Sequence, residues 1–297
     1  MQLLIAGGTG FLGTALVKAL RARGHHVTVL SRHPRKPGEA LLPPEGDEAT
    51  LLALVDGAGA VINLAGESIA GGRWTPARKE AIRASRVGVT RALSTAISNA
   101  TAPPAVFLSG SAVGFYGVRD STPLDESSTR GADFLADVCA EWEAAAWSAS
   151  TRSRVVLLRT GIVLDGRGGA LPQMARPFRF GVGGPIGSGA QYMSWVHIQD
   201  WVSMALWALD SDGVSGPLNV TAPSPVTNAE FSRTLADELR RPGFIRAPAF
   251  AMRLLLGEMA DALLLGGQRV LPRKAEAEGY AFRYAHLAPA LHSIYGR

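Results

Sequence analysis

Apolar positions along this chain follow two rhythms that alternate through its first half. Short, mostly apolar runs at Gln2 to Ala6, Val27 to Leu30, Ala60 to Leu64, Ala105 to Leu108 and Arg154 to Leu158 are too brief for helices, and each predicts a buried strand. Between them the apolar residues shift to helical spacing. Leu12, Leu16, Val17 and Leu20 carry a helix to Gly24, and Ala49 to Val55 suits a short one. Pro76 opens a long helix over Arg78 to Ile97, with Ile82, Val89, Leu93 and Ile97 along one side, and Ala132 to Ala149 predicts another. After Arg159 the pattern loosens. Glycines crowd the stretch from Gly161 to Gly189, as in loops that close over a cleft. A helix ending at Asp210, a strand over Pro217 to Val220, a helix over Asn228 to Arg240 and a further helix from Ala247 to Leu265 follow.

Strands alternating with helices predict an α/β fold: a Rossmann-type doubly wound parallel sheet with a smaller C-terminal, substrate-side lobe. We divide the chain near residue 160, with a nucleotide-binding part over 1–160 and a substrate-side part over 161–297, the two interleaved.

Composition narrows the field. At 297 residues, 47% apolar and 19% charged, the chain is long enough for one large α/β domain with a substantial core. The net charge of +5 is scattered, without a basic run or interleaved aromatics, which argues against nucleic acid; an anionic cofactor accounts for it. The apolar stretch from Phe250 to Leu265 is broken by Arg253, Glu258 and Asp261, so it reads as a buried or partner-facing helix and not as a membrane span. A single cysteine, Cys139, rules out an intramolecular disulfide and a cysteine-based metal site. With no signal-peptide pattern at the N-terminus, the expected location is cytoplasmic.

The chemistry begins at the first strand's exit. Gly7, Gly8, Gly10 and Gly13 satisfy G-x-G-x-x-G between a strand and a helix, the context that makes the motif a dinucleotide fingerprint. The first glycine allows a tight turn and the middle one removes a side chain from the pyrophosphate's path. The last lets helix and strand approach, so that free N–H groups at the helix start meet the phosphates. The second strand then ends Leu30-Ser31-Arg32, with His33, Arg35 and Lys36 behind it. No carboxylate waits there for a ribose 2′-hydroxyl. Ser31 and Arg32 suit a 2′-phosphate instead, so the cofactor expected is NADP.

Longer motifs carry a resemblance that runs end to end. They are GGTGFLG, INLAGESIA, Ser85-Arg86-Val87 before Thr90, Ser109-Gly110-Ser111-Ala112-Val113-Gly114-Phe115-Tyr116-Gly117, DFLADVCAEWEAAA, LLRTGIVLDGRGGALP, FGVGGPIGSGAQYMSWVHIQDW, GPLNVTAPSPVTNAEF and RVLPRKAEAEGYAFRY. Together they resemble the atypical extended short-chain dehydrogenases/reductases, the NAD(P)-dependent, sugar-nucleotide-epimerase-like group with its own C-terminal segment. The resemblance implies that Thr9, Phe11 and Leu12 join the glycines around the pyrophosphate. Leu64, Ala65 and Gly66 would lie beside adenine and ribose, with Arg86 facing the cofactor where relatives have Asn and Ile162 also binding the cofactor. It implies a small polar substrate, a nucleotide sugar among the candidates; an oligomer is compatible with it.

The chain departs from the family in its catalytic pair. Ordinary members carry Tyr-x-x-x-Lys on the helix after the active-site strand. This helix reads Leu135-Ala136-Asp137-Val138-Cys139, with Cys139 at the lysine position and no tyrosine between Gly117 and Gln191. Ser111 remains as the family's serine, and Tyr116 is the nearest phenol, so these two are the catalytic candidates. Glu67 and Asp133 are expected to be free carboxylates near the predicted cleft, and by the resemblance His197 and Asp200 follow a substrate-side strand. Two functions stay open: an NADP(H)-dependent oxidoreductase or epimerase, and a non-catalytic NADP(H)-binding regulator or redox sensor.

Overall fold

The computed structural model describes residues 1–31, 34, 38–41 and 47–296. Its first half is built mainly on β1 (Gln2–Ala6), α1 (Phe11–Ala22), β2 (His26–Ser31), β3 (Glu39–Leu41), α2 (Glu48–Val55), β4 (Ala60–Asn63), α3 (Pro76–Asn99), β5 (Val106–Ala112) and α4 (Phe134–Trp147). They are followed by β6 (Arg154–Thr160), β7 (Ile162–Asp165), α5 (Leu171–Arg179), β8 (Trp195–His197), α6 (Ile198–Asp210), β9 (Gly216–Val220), α7 (Asn228–Leu239) and α8 (Ala249–Leu256).

Seven strands pair in the order β9-β6-β5-β4-β1-β2-β3, all parallel. That is the Rossmann order with one strand added beyond β6, and its reversal point lies between β1 and β4. Both faces are covered, which is why the strands are apolar throughout instead of alternating with polar residues. On β1, Leu3 and Ile5 face one layer with Leu16, Leu20, Trp201 and Met204 of α1 and α6. Leu4 and Ala6 face the other with Leu51, Leu93 and Ile97 of α2 and α3.

The chain beyond residue 160 builds a second core and also rejoins the first. β7 pairs with β8, and Trp195, Phe231, Leu235 and Leu291 pack there with the C-terminal helix Leu287–Tyr295. β9, however, returns to the main sheet beside β6. The C-terminal segment then recrosses both parts: Arg269 and Val270 pair with Pro123 and Leu124, and the Asp200 carboxylate accepts the backbone N–H groups of Arg283 and Tyr284 at 2.8 Å each.

One expected element is corrected. The helix over Ala247 to Leu265 is broken: α8 stops at Leu256 because Gly257 turns to φ +63°, a conformation in which glycine alone is at ease, and a short turn over Glu258–Ala260 and a wider one over Asp261–Leu265 follow. Among the described residues no helix is long and apolar enough to cross a membrane.

Candidate active site

Strand register fixes where the chemistry can lie. Ala6 pairs with Asn63, Asn63 with Ser109 and Ser109 with Leu157, so the exits of β1, β4, β5 and β6 share one edge of the sheet. Such an edge, beside the reversal point, is where open α/β sheets hold ligands.

At the β1 exit the glycines are required by contact. A Cβ on Gly7, itself at φ +77°, would sit 2.5 Å from the Leu64 carbonyl carbon, and one on Gly13 would sit 2.2 Å from the Gly7 oxygen. Gly10 differs: an added Cβ would meet only the Gly7 oxygen, at 3.2 Å, and otherwise faces open space. Gly10 is the N-cap of α1, with no side-chain cap and no acid in the first turn. The first N–H groups of a twelve-residue helix are therefore left for an anion, in a cradle that a side chain at position 10 would fill. The closing loop reaches this cradle from the other side, since the Phe11 ring packs on Gly168 and Gly169.

The β4 exit is held by α3. Asn63 accepts from the Ala65 N–H at 3.1 Å and donates to Thr90 at 2.7 Å, while the Glu67 N–H donates to Ser85 at 3.1 Å. The Arg86 guanidinium donates to the Glu67 carbonyl at 2.9 Å and to the Ile82 carbonyl at 3.0 Å, and lies against Gly66. Burial draws its pKa below the ordinary arginine value. Glu67 and Asp133 are not free carboxylates, contrary to the sequence expectation. Glu67 pairs with Arg78 at 2.6 Å, and Asp133 caps α4 through the Ala136 N–H at 2.9 Å.

Beyond β5 lies a buried polar network. Ala136, Cys139, Glu143 and Ala146 recur on the inward face of α4, which brings one carboxylate under the sheet edge. Ser111 donates to Glu143 Oε1 at 2.6 Å. Arg159, the strand partner of Ser111, clasps the same carboxylate with Nε and Nη2, each at 2.8 Å. Its Nη1 donates to the Tyr116 hydroxyl at 2.9 Å, and that hydroxyl donates to Asn219 Oδ1 at 2.7 Å. The guanidinium lies 3.5 Å from the Phe115 ring centroid. Ser111, Tyr116, Glu143 and Arg159 are only 4%, 0%, 7% and 3% exposed. Burial alone would lower the Arg159 pKa, but hydrogen bonding and charge from Glu143 and Tyr116 outweigh it and raise the value. Burial pushes the Tyr116 phenol up to about 12 against the pull of Arg159, and burial with the Glu143 charge pushes the Cys139 thiol up to about 12. Both groups therefore keep their protons at neutral pH.

Thus Gly7, Gly10, Gly13, Leu64, Ala65, Gly66 and Arg86 converge around β1 and β4, and Ser111 and Tyr116 meet in one network. Thr9 and Leu12 belong to the glycine loop, Thr9 being exposed. Ile162 stands on the second sheet, its N–H donating to Ser194 at 2.8 Å. Ser31 is the last residue of β2, whereas Arg32 lies outside the described residues. Glu143 and Arg159 are additions that sequence reasoning missed; the signal available was a charge placed within an apolar helix face and another within an apolar strand. Among the described residues no group of His, Cys, Asp and Glu is placed to hold a metal ion.

A Rossmann sheet with a glycine cradle and a buried polar network at the β5 exit defines a nucleotide-dependent short-chain dehydrogenase/reductase-type protein. The chain belongs to the NAD dependent epimerase/dehydratase family, whose model matches residues 3–221, and a domain of unknown function (DUF1731) matches residues 247–294. Over 297 residues it is 40% identical to the human epimerase family protein SDR39U1, covering 99% of both proteins. It is 41% identical to the chloroplastic homologue from Arabidopsis thaliana, covering 99% of this chain and 86% of that protein. The crystal structure of human SDR39U1 with NADPH matches with a TM-score of 0.92, at 39% identity and 99% coverage of each chain. A nucleoside-diphosphate sugar epimerase from Corynebacterium glutamicum matches with a TM-score of 0.83 at 35% identity, over all of this chain and 58% of that one.

Proposed function

We propose that this chain binds NADPH at the glycine loop and acts as an NADP(H)-dependent oxidoreductase or epimerase on a small polar substrate, within the cytoplasm. The cofactor assignment is supported by the open cradle at Gly10, by the Ser31-Arg32 ending of the second strand, and by the complex of the human relative with NADPH. Gly7, Gly10 and Gly13 with the first turn of α1 would hold the pyrophosphate, and Leu64, Ala65 and Gly66 the adenosine side. Once bound, the cofactor supplies a nicotinamide ring that accepts or returns hydride.

The observation that carries the chemistry is the 2.6 Å hydrogen bond from Ser111 to Glu143. A substrate hydroxyl seated on Ser111 transfers its proton to Oγ while Ser111 passes its own to Glu143 Oε1, and the reverse step returns it. Arg159 keeps both Glu143 oxygens aligned for this exchange. In this reading the serine–glutamate relay stands in for the family's missing tyrosine and lysine. Tyr116, whose hydroxyl already donates to Asn219, braces Arg159 from behind.

The test is turnover by purified protein with NADP⁺ or NADPH against a panel of alcohols, ketones and nucleotide sugars. Ser111→Ala should abolish turnover and leave NADPH affinity unchanged. Tight NADPH binding with no turnover on any substrate would overturn the catalytic reading. It would favour the regulatory alternative, which draws on the burial of Tyr116, Cys139 and Ser111 and predicts a partner protein whose affinity differs between the NADP⁺ and NADPH forms.

A further inference from the structure

The largest anomaly of the surface lies far from the cofactor cradle in sequence, on α5, α8 and the segment leading into α8. Phe180, Phe244, Phe250 and Leu254 are 73%, 79%, 73% and 74% exposed, and Val182 and Leu255 are exposed beside them. Single exposed apolar residues are ordinary, but a contiguous group of large ones marks a binding surface. Continuity here is set by the backbone. The Ile245 N–H donates to the Gly183 carbonyl at 3.1 Å and the Ala247 N–H to the Pro185 carbonyl at 2.9 Å, so the stretch after Phe180 and the stretch after Phe244 run side by side. α8 then continues directly from Ala249, and none of its eight residues is buried. What fastens α8 is its backbone: Arg73, from the loop after β4, donates to the Leu254 and Leu255 carbonyls. Phe250, Arg253, Leu254 and Leu255 are left exposed, while Ala249, Ala251, Met252 and Leu256 are partly covered.

Charge identifies what would cover this face. Segments 176–182 and 240–256 hold six arginines and no carboxylate. Among the described residues, Arg253 alone of these six forms an ion pair, with Asp261 from the following turn at 2.9 Å. A second copy of the chain, placed on the same face by two-fold symmetry, would set arginine against arginine. The complement is apolar and anionic. A helix with Phe250, Leu254 and Leu255 exposed and arginines around them suits a surface that can be entered, with its negative charge in the plane of entry.

We propose that this face docks on an anionic lipid surface, with α8 lying in the interface, Phe244, Phe250 and Leu254 in the acyl boundary, and the arginines at the headgroups. The chain lies on such a surface and does not span it. Arg240 fits the same account. It is the single described non-glycine residue with positive φ, at 52°, at the end of α7, where glycine would be unstrained. The chain keeps a cation there against the local preference.

The test is co-sedimentation of the full chain, loaded with NADPH, with vesicles of equal parts phosphatidylcholine and phosphatidylglycerol and with vesicles of phosphatidylcholine alone. Binding should be confined to the anionic vesicles and should fade as salt rises above physiological strength, where the screening length falls below about 8 Å. The double variant Phe250→Ser, Leu254→Ser should lose about 100-fold or more in partition, the order expected when two large apolar side chains no longer leave water. Because both residues are exposed, its thermal midpoint and NADPH affinity should match the parent's. Arg240→Gly should raise the thermal midpoint while weakening vesicle binding. Failure to sediment with anionic vesicles would overturn the proposal. So would equal binding to neutral vesicles, or a dimer that the double variant dissociates while the parent ignores vesicles.

Discussion

Replacing Glu143 by glutamine tests whether the Ser111–Glu143–Arg159 cluster is the buried unit described above. The side chain keeps its shape but loses its charge and one acceptor oxygen. In the parent, two Arg159 donors at 2.8 Å and the Ser111 hydroxyl at 2.6 Å all end on this carboxylate. In the variant the Arg159 cation stays, and besides the new amide the neutral groups left to receive it are the Tyr116 hydroxyl and ring, the Glu126 carbonyl and the Phe115 ring. Breaking a buried pair from one side costs about 3–5 kcal/mol, because an uncompensated charge remains. The amide oxygen retains one of the arginine's bonds, worth about 1 kcal/mol, which leaves a loss of about 3 kcal/mol. A domain of ordinary stability, about 5–15 kcal/mol, survives this and stays folded. For a chain of this size the thermal midpoint should fall by about 6 °C, at about 2 °C per kcal/mol. Thermal unfolding followed by circular dichroism measures it, and the double variant Glu143→Leu, Arg159→Met tests the converse. The double variant should be more stable than Glu143→Gln, since neither charge is then left unpaired. A loss below about 1 kcal/mol for Glu143→Gln, the range of exposed ion pairs, would refute the burial of the cluster.

Two glycines of one loop should separate folding from binding. Gly13→Ala drives a Cβ to 2.2 Å from the Gly7 oxygen and should leave little folded protein. Gly10→Ala should fold normally yet weaken NADPH binding by about tenfold or more, as measured by fluorescence titration, because a displaced hydrogen bond to a charged group is worth about 1.5–3 kcal/mol; unchanged affinity would remove the pyrophosphate from this loop. Arg32→Ala should reduce affinity for NADPH far more than for NADH, and equal losses would remove Arg32 from the 2′-phosphate. His197 is buried with Nδ1 accepting the Gln199 N–H, and burial lowers its pKa against the opposing pull of Asp200 and Asp165. Below about pH 6.5 the unfolded chain therefore binds a proton that the folded chain refuses, so stability falls as pH falls toward the depressed folded value, by up to about 1.4 kcal/mol per unit. His197→Asn, which can still cap α6, should flatten that slope in denaturant titrations from pH 7 to 5; an unchanged slope would assign it to other groups.

What could be read beforehand was what local pattern dictates. β1, the glycine turn, α1 and β2 follow from spacing and from glycine's backbone freedom, both written within thirty residues. α8 was misjudged for a local reason too: the periodicity from Ala247 to Leu265 does not reveal that Gly257 takes positive φ, and a breaker inside an apolar run reads as an ordinary helical residue until the turn is seen. The network at the β5 exit was hidden for the opposite reason. Ser111 and Tyr116, Glu143, Arg159 and Asn219 come from four separate segments, up to 103 residues apart between hydrogen-bonded partners, and only the strand order brings them together. Yet each of its two charges sits where a lone charge would be costly, Glu143 among alanines on a helix face and Arg159 at the end of Val-Val-Leu-Leu. A buried charge persists only if it is paired, so two such charges in elements flanking the same strand imply each other. That inference requires no resemblance to any family, and it reaches the residue, Glu143, which a search for the missing Tyr-x-x-x-Lys passes over because it asks what the helix lacks instead of what its inward face carries.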